Sequence, residues 1–337
     1  MPSCNRHLTA KEGILLCFPP ATVRLWRPAA EIPARVGLSV MGIEQALRRA
    51  ETDDRVKGLY VRLPEGGMSP AAADELRAAF KHFRASGKPI LAHSQGLYPS
   101  GVITSTYELA AATGNIWMQP SSSFQVTGVA AQDIFFKRFF DKYGVQPDYQ
   151  QRYEFKNAVN PYLYSDYTPA HRESELSWLG SVYGTGLTAA AEDRSKAPAA
   201  LRTQIEGGPY SAEQALAGGL IDHIGQEKEA EDAILKQAGD DARMLDFAVY
   251  AASTRQSSAL ANAGKPVVAV IAAEGAIVTG TGEHASPFGG GGNIYSDDVA
   301  KAFYKAIADK SVKAIVFRVS SPGGSDTASE PILSAVR

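Results

Sequence analysis

Two stretches of this chain are copies of one another, and nothing else in the sequence limits the fold as tightly. "IEQALRRAETDDRVKGLYVRL", from Ile43, aligns without a gap on "VAKAFYKAIADKSVKAIVFRV", from Val299. Ala46, Ala50, Asp53, Val56, Lys57 and Arg62 coincide with Ala302, Ala306, Asp309, Val312, Lys313 and Arg318. Ile43, Leu47 and Leu59 fall on the apolar Val299, Phe303 and Ile315. After one inserted residue, Gly66-Gly67 meets Gly323-Gly324. A unit that recurs in this way is one supersecondary module used twice.

The spacing inside the module says what it is. Ile43, Ala46, Leu47 and Ala50 recur at helical intervals, as do Val299, Ala302, Phe303 and Ala306. A short polar link then leads into a continuous apolar run, the kind of strand buried on both faces of a parallel sheet. "GILLCF" and "PVVAVIAAEGAIV" read as strands ahead of the two helices. Each copy is therefore a β–α–β unit, and the chain is a tandem α/β protein.

Between the copies, "KPILAHS" and "GNIWMQP" read as further strands. "QDIFFKRFFDKYG" reads as a helix with Phe136, Phe139, Phe140 and Tyr143 on one face, stopped by Gly144. Thr168-Pro169 opens a long helix, threonine as N-cap and proline in the first turn, with a core stripe of Leu176, Leu179, Tyr183 and Leu187. Ser211 caps a short helix that ends at Gly218-Gly219. Lys228 to Ala263 reads as helical and ends in a polar linker, "STRQSSALANAGKP", where a domain boundary is expected. "SPFGGGGNIYSDD" reads as a flexible loop.

Composition removes several function classes. A net charge of −2 over 337 residues provides no basic surface for nucleic acid. Cys4 and Cys17 are too few for a disulfide framework, and the six histidines stand at no HExxH or HxH spacing, so a histidine-rich metal site is not expected. The longest apolar runs are shorter than the ~20 residues that span a bilayer. "MPSCNRHLTAKEG" has no apolar signal core.

Three features carry chemistry. Gly323-Gly324, between strand and helix, suits either an oxyanion-binding turn or a tight turn that needs positive φ. Lys156, in "RYEFKNAVNPYL", stands among Phe155, Ala158, Val159 and Pro161. A lysine in apolar surroundings loses proton affinity and can act as base to a serine, whereas an ordinary lysine is a surface group. Ser100, followed by Gly101, is one serine candidate among several, with Ser105, Ser121 and Ser325.

Taken together, "VKAIVFRVSSPGGSDTASEPI", "YEFKNAVNPYLYSDYTPAHRE" and "SAEQALAGGLIDHIG" resemble the signal peptide peptidase A family, serine peptidases of the ClpP/crotonase superfold. The resemblance runs from about Gly13 to the end. It implies ClpP/crotonase-like repeated β-β-α units, one complete repeat plus the start of a second: a leader over 1–12, a lysine-bearing repeat over 13–255, and 256–337 cut before the nucleophile. In the long tandem form, Lys156 corresponds to the base of a Ser–Lys dyad whose serine lies in the second repeat, beyond this chain. Gly323 and Gly324 correspond to the turn that lines the substrate groove and helps hold the oxyanion.

The resemblance further implies hydrophobic peptide substrates, a homo-oligomer, no cofactor, and membrane association on the extracytoplasmic face through a segment absent here. Asn157 and Asn160 depart from the family's usual Ser and Glu, and "LPEGGMS" departs from Ser-Pro-Gly-Gly. In a short-form reading, Ser100 would pair with Lys156 in one repeat. Two other classes stay open: a non-catalytic fragment that binds peptides, and a crotonase-type acyl-CoA enzyme.

Overall fold

In the computed structural model, residues 14–18, 38–261, 264–282 and 292–337 are described. They form two compact units, 14–18 with 38–252 and then 253–337. The expected leader over 1–12, Cys4 and the glycine run of "SPFGGGGNIYSDD" lie outside the described residues.

Unit one is built on six parallel strands: β1 (Ile14–Phe18), β2 (Val56–Arg62), β3 (Ile90–Ser94), β4 (Ile116–Met118), β7 (His223–Ile224) and β8 (Arg243–Asp246). Their order is β7-β4-β3-β2-β1-β8. A two-stranded antiparallel ribbon pairs β5 (Ser123–Phe124) with β6 (Tyr210–Ser211). The helices are α1 (Val40–Thr52), α2 (Pro70–Ala85), α3 (Ile103–Thr113), α4 (Lys137–Tyr143), α5 (Asn160–Leu163), α6 (Pro169–Asp193), α7 (Pro198–Glu206), α8 (Ala212–Ala217), α9 (Glu227–Ala238) and α10 (Phe247–Ala261).

Strand alternation divides the core between the two faces of the sheet. Leu16, Leu59, Val61, Ile90 and Ala92 join Ala46, Leu47, Phe80, Phe83 and Tyr107 from α1, α2 and α3 in the main core. Their neighbours Leu15, Tyr60 and Leu91 face the other way and are covered by Ala230 and Ile234 of α9. The expected helical stripe Ile43, Ala46, Leu47 and Ala50 is the buried face of α1. The parallel α/β class read from the repeat is thus observed.

Unit two repeats the opening of unit one. Strand β9 (Val267–Glu274) pairs in parallel with β12 (Val312–Ser320), linked by α11 (Ser296–Ala308). Two short strands, β10 (Ala276–Val278) and β11 (Asn293–Tyr295), pair beside it, and α12 (Asp326–Val336) closes the chain. Ile271, Val299, Phe303 and Ile332 form its core. The opposite face of the β9–β12 pair leaves Val268, Val270 and Val316 exposed. In unit one, α9 covers the matching face.

The structure departs from the sequence reading in four places. Lys228 to Ala263 is two helices, because Arg243–Asp246 forms a strand against β1. "PVVAVIAAEGAIV" is two strands, since Gly275 turns the chain at φ 106°. In α6, Tyr183 and Leu187 are buried but Leu176 is exposed. In α4, Phe139 and Tyr143 point into solvent although the helix ends at Gly144 as expected.

Candidate active site

The first Gly-Gly turn sits beyond the C-terminal end of β2, where parallel α/β sheets place their ligands. It is laced to the loop after β3. Gly67 N–H donates to Ser100 O at 2.5 Å, Tyr98 N–H to Glu65 O at 2.8 Å, and Thr106 Oγ1 to Gly66 O at 2.8 Å. A Cβ on Gly67 would overlap the Val102 backbone, so the close approach itself requires glycine. Ser100 is exposed, and its own carbonyl occupies the amide that an oxyanion would need.

The second turn is arranged differently. Gly323 has φ 108°, and its N–H donates to Ser321 Oγ at 3.0 Å. Its carbonyl accepts from Ile277 N–H at 3.0 Å, while Ser325 N–H donates to Ile277 O at 2.9 Å. Gly324 lies between these two bonds, and a Cβ there would overlap the Ile277 backbone. Its N–H has no hydrogen-bond partner among the described residues and is exposed. Ser325 Oγ accepts from Ala328 N–H at 3.2 Å and caps α12, whose N-terminal dipole adds positive potential at the turn.

Lys156 lies in unit one, on an excursion between α3 and α6. It precedes a single 3-10 turn, Asn157–Val159. Its N–H donates to Tyr153 O at 3.3 Å, and Tyr153 holds φ 64°, an uncommon conformation for a non-glycine residue. Gln151 Nε2 donates both to Lys156 O at 2.9 Å and to Asn160 Oδ1 at 3.0 Å, and Asn160 Nδ2 donates to Asn157 Oδ1 at 3.3 Å. The two departures from the family pattern, Asn157 and Asn160, thus bond to each other beneath the lysine. Within this unit Lys156 and Phe155 are both exposed, so the apolar enclosure expected around the amine is not formed by its sequence neighbours. Lys156 belongs to unit one and the Gly323-Gly324 turn to unit two.

Sequence reading missed two bonding patterns here. One is the Gly67–Ser100 lacing, which no residue pattern announces. The other is Asp222, which sits in "GLIDHIG" and receives a two-pronged bond from Arg194 at 2.7 and 2.8 Å, plus Ile116 N–H at 2.8 Å. Burial raises the Asp222 carboxyl, but these donors hold it below the usual range.

Residues 82–240 match the model of Peptidase family S49. The chain is 31% identical over 308 residues to "Protease 4" of Salmonella typhi, covering 87% of this chain and 47% of that protein. It is 28% identical to "Protease 4" of Haemophilus influenzae, covering 88% and 48%. Against "Serine protease SPPA, chloroplastic" of Arabidopsis thaliana, identity is 24%, covering 87% and 43%. The chain spans about half the length of these curated relatives.

The chain is thus similar, over residues 82–240, to Peptidase family S49 and, over most of its length, to proteases of the signal peptide peptidase A type, as the sequence motifs implied. Among solved structures, it aligns with an enoyl-CoA hydratase/isomerase family protein from Silicibacter pomeroyi at 18% identity, over 72% of this chain and 80% of that one, with a TM-score of 0.34. A membrane-bound stomatin-specific protease aligns at 11% identity, over 70% and 99%, with a TM-score of 0.37. No helix among the described residues is long and apolar enough to cross a membrane.

Proposed function

We propose that this chain is part of a serine endopeptidase that cuts signal peptides or other hydrophobic peptides with a Ser–Lys dyad. Lys156 is the general base, and its place inside the region that matches Peptidase family S49 carries the reading. The dyad serine comes from a second-repeat segment that these 337 residues do not include. The serine hydroxyl attacks the scissile carbonyl while neutral Lys156 takes its proton. The ammonium then gives that proton to the leaving amine, and water repeats the cycle on the ester.

The Gly323-Gly324 turn lines the groove. The unoccupied N–H of Gly324, at the N-terminal side of α12, supports its role as an oxyanion donor. An extended substrate would add along a strand edge. The active form is a homo-oligomer held at the extracytoplasmic face of a membrane.

The 337-residue chain alone is expected to give no labelling with a fluorophosphonate probe. A polypeptide extended through the second repeat is expected to label at a serine and lose peptidase activity by at least ~100-fold in Lys156→Met. Labelling of Ser100 in the short chain, abolished by Lys156→Ala, would replace this reading with a one-repeat dyad. A second reading, a peptide-binding part without catalysis, is favoured by one observation: Gly67 N–H is already bonded to Ser100 O. It predicts no labelling in either polypeptide.

A further inference from the structure

The Lys156 excursion leaves the body of unit one near Asp133 and returns at Tyr167. Its two roots meet at one buried side chain. His171, in the first turn of α6, is only 4% exposed. Its Nε2 faces Asp133 Oδ2 at 3.6 Å and Glu175 Oε1 at 3.9 Å. The Tyr167 ring lies 4.8 Å from the imidazole. Phe135 packs edge-on to Tyr167 at 5.1 Å. Asp133 and Phe135 belong to the outgoing root, Tyr167 and His171 to the returning one.

From there contacts joined by short stretches of chain lead toward the lysine backbone. Phe136 N–H donates to Pro161 O at 2.7 Å, and the Phe136 ring stacks on Tyr162 at 6.0 Å. Tyr162 stacks on Tyr149 at 5.2 Å, and Gln151 then bonds to Lys156 and Asn160. The excursion contains little else to fix it: α4 has no buried residue, and Phe139, Tyr143 and Tyr153 are exposed. A segment with so few buried contacts opens locally unless its ends are held.

We propose that Asp133, Tyr167 and His171 form a clamp at the root of this excursion, and that His171 is a positioning residue for Lys156. Its imidazole N–H side holds the outgoing root through Asp133, and its ring face holds the returning root through Tyr167. The role toward Lys156 rests on the peptidase reading above; the clamp itself is a property of unit one.

The test reads the excursion without reading catalysis. Limited trypsin digestion of the 337-residue chain, followed by mass spectrometry, gives the rates of cutting after Arg138, Lys142, Arg152 and Lys156. His171→Phe keeps a ring but loses the N–H, and is expected to raise these rates about tenfold while the thermal midpoint of unit one holds. Asp133→Asn is expected to do the same. His171→Gln keeps a donor toward Asp133 and is expected to restore most of the protection. The His171→Phe/Asp133→Asn double variant should be cut no faster than either single one, since each breaks the same link. Unchanged rates, full rescue by phenylalanine, or additive effects in the double variant would overturn the clamp. None of these outcomes depends on whether the chain is a peptidase, so the two proposals fail separately.

Discussion

Glu108 shows how a single residue sets a pH dependence. It stands on α3, 3% exposed, with Oε1 lacking a hydrogen-bond partner among the described residues. Gly186 of α6 packs against it, and a Cβ there would come within 3.1 Å of Oε2. Burial, reinforced by the Asp74 carboxylate and only partly offset by Arg77, pushes Glu108 up to about 7 from 4.5. The native state therefore holds an extra proton between those values. The contribution of Glu108 to stability is greatest below about pH 4.5 and is lost as pH rises through about 7.

Glu108→Gln removes that dependence. It is expected to be more stable than the parent by about 1–3 kcal/mol at pH 8, with the advantage shrinking toward pH 5. Thermal denaturation at the two pH values checks it; a constant difference would show that Glu108 ionises normally. Nothing in the sequence around "TYELAAAT" marked this glutamate, because its burial comes from α2 and α6, distant in the chain. The exposure of Lys156 within unit one was likewise not legible from its local motif.

Elements with strong local signals formed as read. Ser211 closes a capping box with Gln214, Thr168 accepts from His171 N–H at 3.2 Å, and Gly144 ends its helix at φ 67°. Elements defined by a partner did not announce themselves. Arg243–Asp246 is a strand because β1 offers it an edge, and the break at Gly275 arises because Gly292 approaches too closely for a Cβ. Gly324 belongs to the same class. Gly324→Ala would drive a Cβ into the Ile277 backbone, which cannot move aside as a flexible side chain would. A loss of about 3 kcal/mol from unit two is expected. Circular dichroism during denaturant unfolding of this variant measures it, and a variant as stable as the parent would mean that the turn can open at no cost.

At the scale of the whole chain, each of the two units has its own core among the described residues. That of unit one packs both faces of a six-stranded sheet, and that of unit two packs one face of a strand pair. Such a chain should not unfold in one step. Calorimetry is expected to show two transitions, the smaller belonging to unit two. Phe80→Ala should lower only the larger and Phe303→Ala only the smaller, each by about 3–5 kcal/mol if fully buried space is emptied. A single transition shifted by both variants would mean that the cores are coupled.

The sequence by itself determined the repeated β–α–β module, the parallel sheet, a few helix ends such as Thr168, Ser211 and Gly144, and the family motifs. All of these rest on short-range periodicity or on residue types confined to a few positions. Only the tertiary structure decided which backbone amides are already bonded. Gly67 and Gly324 look alike in the sequence, but one N–H is tied to Ser100 across the loop after β3 and the other is unoccupied. The same holds for the network beneath Lys156 and the link from His171 to Asp133. Gly67 and Ser100, like Asp133 and His171, are far apart along the chain, and even the short-range bonds among Gln151, Asn157 and Asn160 depend on a loop path that no residue pattern fixes, since a contact is set by where its partner lies in space.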